Sequence, residues 1–148
     1  MGFRFAGFFA QAQPEVLAAA LRAWPNCQGR PITEPFRGLG VAVPVRALTN
    51  GNTEEEQAQA RELAYALEVE LVGWSKQYPD ALFVFLSADC FGGVCLYAGY
   101  VCQNGAMLER ANDTGDRNHK ALRRLIRALG VELDDSGDFA PLTRDFFD

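Results

Sequence analysis

Two dipeptides, Gly92-Gly93 and Asn104-Gly105, interrupt the most apolar part of the chain, and they restrict its folding more than any other feature. Residues 81–90, ALFVFLSADC, are apolar on both faces and too short for a comfortable helix, which marks a buried strand. Each dipeptide can take the positive φ angles of a two-residue hairpin loop. Together they predict a three-stranded meander at about 81–91, 94–103 and 106–111. Side chains alternate along a strand, so fixing each loop also fixes which residues share a face.

The first loop sets Phe91 against Val94, Cys90 against Cys95 and Asp89 against Leu96. Two positions from such a loop is a non-hydrogen-bonded pair, where Cα atoms approach to about 4.5 Å, within disulfide reach. Cys90 and Cys95 are therefore redox candidates. The competing expectation is a reduced, largely buried pair that fills a core face as small soft hydrophobes. Cys102 points to the other face by strand parity, and the cysteine spacing offers no paired zinc knuckles, so no metal or other cofactor is expected.

The same counting through the second loop sets Asp113 across from Leu96, in one row with Asp89 and near Asp116. Such a group could hold a cation or perform acid–base chemistry. The plainer reading has Asp89 capping a turn while Asp113 and Asp116 open the last helix. His119 is the single histidine, placed in that helix's first turn. Neither a nucleophile elbow nor a phosphate-binding glycine loop is present.

The remaining elements follow from periodicity and punctuation. GFRFAGFFA at 2–10 reads as a strand, and Pro14 opens a short helix that must end before Pro25. Any strand within 26–46 is interrupted by proline or lies at an edge, with FRGLGVAV at 36–43 the best candidate. Thr53 and Glu56 form a capping-box pattern, and Ala60, Leu63, Ala64, Leu67, Leu71 and Trp74 mark one face of a long helix stopped at Tyr78-Pro79. A last helix spans about Asp116–Leu129 and stops at Gly130. The expected fold is a single α+β domain over 1–148, an antiparallel sheet with the meander at its centre and two or three helices packed on it.

At 148 residues with 49% hydrophobic and 22% charged side chains, the chain can build a core without staples. Its net charge of −5 disfavours nucleic acid and favours a basic partner. Acids gather at Glu54, Glu55 and Glu56 and again at Asp134, Asp135 and Asp138, and residues 130–148 alone carry a charge equal to the whole net charge of −5. No membrane span or export signal is read, so a cytoplasmic protein is expected.

The run YPDALFVFLSADCFGGVCLYAGYVCQNG at 78–105, behind a long acidic helix, resembles small bacterial α+β proteins of the polymorphic-toxin immunity type. The resemblance covers a fifth of the chain and transfers no binding residue. It implies a non-enzymatic acidic protein that blocks a basic toxin, with Glu54, Glu55, Asp134, Asp135 and Asp138 as candidate contacts. The alternatives are a small hydrolase or metal-dependent enzyme built on Asp89, Asp113, Asp116 and His119, and a redox-responsive module built on Cys90 and Cys95. The phenylalanines of the terminal FAPLTRDFFD could dock on a partner or on the chain's own sheet.

Overall fold

The computed structural model describes residues 3–44, 53–91, 94–113, 120–132, 139–142 and 146–147. They form an α+β fold: strands β1 (Phe3–Ala10), β2 (Gln28–Ile32), β3 (Gly38–Ala42), β4 (Phe83–Phe91), β5 (Val94–Gln103) and β6 (Ala106–Asn112), with helices α1 (Pro14–Ala23), α2 (Glu54–Trp74) and α3 (Lys120–Ile126). The strands make one antiparallel sheet in the order β2-β3-β1-β4-β5-β6. The meander β4–β6 makes half of it, and the phenylalanine-rich β1 lies beside β4 in the middle. Proline-bearing β2 falls at an edge, where a missing N–H breaks no ladder.

Register through the first hairpin is the one the glycine pair dictates, with Phe91 opposite Val94 and Cys90 opposite Cys95. In the second hairpin a bulge intervenes. Cys102 pairs with Met107 but Val101 pairs with Glu109, leaving Leu108 as the extra residue. From that point β6 is displaced by one position, which turns every later side chain to the opposite face from the one simple counting assigns.

Each face of the sheet has its own core. On one, α3 lays Leu122, Leu125, Ile126 and Leu129 over Phe5, Phe9, Val84, Leu86 and Val101. The C-terminal segment closes this face: Phe139 and Phe147 pack on Phe9, and Phe147 also stacks on Phe5 at 5.7 Å. Gly40 leaves the space for this, since a Cβ there would come within 3.0 Å of the Phe147 ring. Arg30 holds the same segment by donating to the Phe146 carbonyl and lying 4.6 Å over its ring. The terminal phenylalanines thus dock on the chain's own sheet. Gly130, at φ 73°, takes the left-handed conformation that ends the α3 region.

On the other face, α1 and the C-terminal end of α2 bury Phe8, Leu39, Val41, Leu71 and Phe83. Trp74 anchors α2 there, edge-on to Phe83 at 5.3 Å and to Trp24 at 5.2 Å. The Trp24 indole N–H donates to Glu70, and Ser75 Oγ accepts from the Gly105 amide. At the other end of α2, Thr53 Oγ1 accepts from the Glu56 amide at 3.1 Å, a bond of the expected capping box.

Candidate binding surface

The apolar stripe of α2 has the helical spacing expected of it, but only part of it meets the sheet. Leu67 and Leu71 are buried. Leu63 and Ala64, one turn earlier on the same stripe, are exposed, Leu63 to 49%. Tyr65 at 67% and Val69 at 54% also stand in solvent. None of residues 53–59 or 61–66 is buried. The helix carries six glutamates against Arg61, with Glu54, Glu55 and Glu56 exposed in its first turn. Asp134, Asp135 and Asp138 lie outside the described residues.

Beneath this half of α2 a cavity of about 320 Å³ opens between Ala64, Tyr65 and Glu68 of the helix and Phe85, Ala98 and Tyr100 of the sheet. Phe85 and Tyr100 stack at 5.0 Å with their planes 10° apart. Arg110 bridges the two walls: its guanidinium is 2.6 Å from Glu68 Oε1 and lies 5.9 Å over the Tyr100 ring. Burial, followed by the neighbouring Cys102 and Glu68, pushes the Tyr100 phenol far above its ordinary value, so the hydroxyl stays neutral. That hydroxyl is buried with no hydrogen-bond partner among the described residues.

Asp89 and Asp113 do not share a row. Asp89 is exposed on the cavity face and pairs with its cross-strand neighbour Arg4 at 3.4 Å. Asp113 sits opposite Tyr97 rather than Leu96, as its amide donates 2.8 Å to the Tyr97 carbonyl. The Leu108 bulge is the cause, and it sends Asp113 to the α3 face, where the residue is only 1% exposed. There its carboxylate accepts from the amides of Tyr97 at 3.2 Å and Ala121 at 3.0 Å, tying β5 to the start of α3. Asp116 and His119 lie outside the described residues. Among the described residues, no group of three acids, cysteines or histidine could hold a metal ion.

Cys90 and Cys95 are not the reduced, largely buried pair of the core expectation. They are joined by a disulfide between Cα atoms 4.0 Å apart, and both are half-buried. The hairpin register sets them opposite one another, close enough to bond. Cys102 is fully buried on the other face, its thiol pushed up to about 11 by burial against the lowering effect of a hydrogen bond with Ser75. Burial also raises the thiol of half-buried Cys27.

Sequence reasoning missed Glu68, Arg110, Phe85 and Tyr100 as a group. Their meeting depends on the bulge and on where α2 crosses the sheet, and neither has a local signal. No protein-family model, curated protein or solved structure matches the chain. Among the described residues, no helix is long and apolar enough to cross a membrane.

Proposed function

We propose that this chain is a non-enzymatic binding protein that engages a basic protein through the exposed half of α2, as an immunity protein engages a toxin. The observation that carries the reading is the set of exposed apolar side chains on an acidic helix. A helix with six glutamates presents Leu63 to solvent one turn before Leu67 of the same stripe is buried, and carries Tyr65 and Val69 exposed on its other sides. Glutamates steer a basic partner to this surface, and the apolar residues within the acidic rim supply the contacts that slow its departure. The hydrolase alternative draws no support from Asp89 and Asp113, which lie on opposite faces.

The test is a pull-down with the product of the adjacent gene, followed by association rates at low and high salt. The expected outcome is an association rate at least about tenfold slower at high ionic strength. Binding without salt dependence, or turnover of a small molecule by the purified chain, would refute the reading.

One observation favours a second reading, a redox-responsive module: the half-buried Cys90–Cys95 disulfide at a hairpin tip. Reduction would then change partner binding. Equal affinity of the oxidised and reduced forms rules it out.

A further inference from the structure

We propose that the cavity under α2 is a receptor for a cationic side chain, an arginine of the basic partner, and that Arg110 occupies its charged corner in the free protein. The proposal rests on the basic-partner reading and names the group that this surface would capture.

The chemistry of the walls selects the guest. Glu68 supplies a half-buried carboxylate, and the stacked Phe85–Tyr100 pair with Tyr65 supplies aromatic surface. A carboxylate beside aromatic faces suits a planar, weakly hydrated cation, which pairs with the one and stacks on the other. The chain demonstrates the fit with its own guanidinium, which bonds Glu68 and lies over Tyr100. Arg110 is nevertheless a loosely held occupant, its side chain 60% exposed and its ion pair with Glu68 at the mouth of the cavity. The Glu68 side chain is only 16% exposed, so an incoming guanidinium that takes the place of Arg110 keeps this carboxylate paired throughout. The space remaining beside it, about 320 Å³, admits the stem and guanidinium of an incoming arginine. The unpartnered Tyr100 hydroxyl is an acceptor that a guanidinium, with five N–H donors, is equipped to use.

The probe is N-acetyl-arginine methylamide, titrated into the 15N-labelled chain, with N-acetyl-glutamate methylamide as the control. Saturable amide shifts are expected at Phe85, Gly99, Tyr100 and Ala111. Arg110→Gln, which removes the resident cation, should tighten binding about threefold or more. Adding Glu68→Gln should then weaken it about tenfold or more. Ala64→Phe, at an exposed helix position where folding is not at stake, should block the cavity and abolish the shifts.

Absence of saturable shifts in Arg110→Gln, or equal binding of the glutamate probe, would overturn the proposal. Shifts confined to Glu54–Glu62 would overturn the cavity while leaving the basic-partner reading intact. Arginine binding in the cavity together with salt-independent partner association would do the reverse.

Discussion

The two faces of the sheet are covered in different ways. On the α3 face, helix and C-terminal segment enclose Phe9 in a ring of aromatic contacts with Phe5, Phe36, Phe139 and Phe147. On the other, α1 and the Trp74 end of α2 cover one half, and the earlier part of α2 stands off the sheet across the cavity, with Leu63, Tyr65 and Val69 exposed. Stability is therefore concentrated in the first face and in the Trp24–Trp74–Phe83 corner of the second. The open half of the second face is free to specialise in recognition, because little of the fold depends on it.

The largest effect that would sharpen this contrast is expected from Phe9→Ala. Phe9 is fully buried among four rings, so its loss should cost about 3–5 kcal/mol in urea denaturation. A cost below about 1 kcal/mol would show that the α3 face is not the mainstay. Asp113→Ala comes next: the buried Ala121 amide and the part-buried Tyr97 amide lose this acceptor, at an expected cost of about 2–3 kcal/mol. Were Asp113 instead part of a solvated acid row, the same change would be nearly neutral.

A pH experiment probes the closed corner of the α2 face. The Cys102 thiol is raised from 9.0 to about 11, so the folded state holds its proton more tightly than the unfolded state does. This contribution is complete below about pH 9 and is lost as pH rises toward about 11, a decline on the order of 2 kcal/mol. Cys102→Ala should flatten that alkaline limb, and an unchanged pH profile would place the thiol in contact with solvent.

Most of the architecture is legible in the chain because its signals are local. Gly92-Gly93 fixes the Cys90–Cys95 register, Thr53 marks the start of α2, and Pro31 points to an edge strand. What escapes is non-local. No residue type at Leu108 announces a bulge, yet that single inserted residue moves Asp113 from the row of Asp89 to the opposite core. Likewise the stripe Ala60, Leu63, Ala64, Leu67, Leu71 shows which side of α2 can be buried, not how closely the helix lies on the sheet. Leu67 and Leu71 reach it, while Leu63 and Ala64 stay exposed beside the cavity.

Leu63, Tyr65 and Val69 test the central claim most directly, and they should have the smallest effect on folding. In the triple variant Leu63→Ser, Tyr65→Ser, Val69→Ser, urea denaturation should give a stability within about 1 kcal/mol of the parent, as for surface positions. Affinity for the basic partner, measured on the same preparation, should fall about tenfold or more. A stability loss above about 3 kcal/mol, or unchanged affinity in a folded variant, would contradict the division between a closed face that stabilises and an open face that binds.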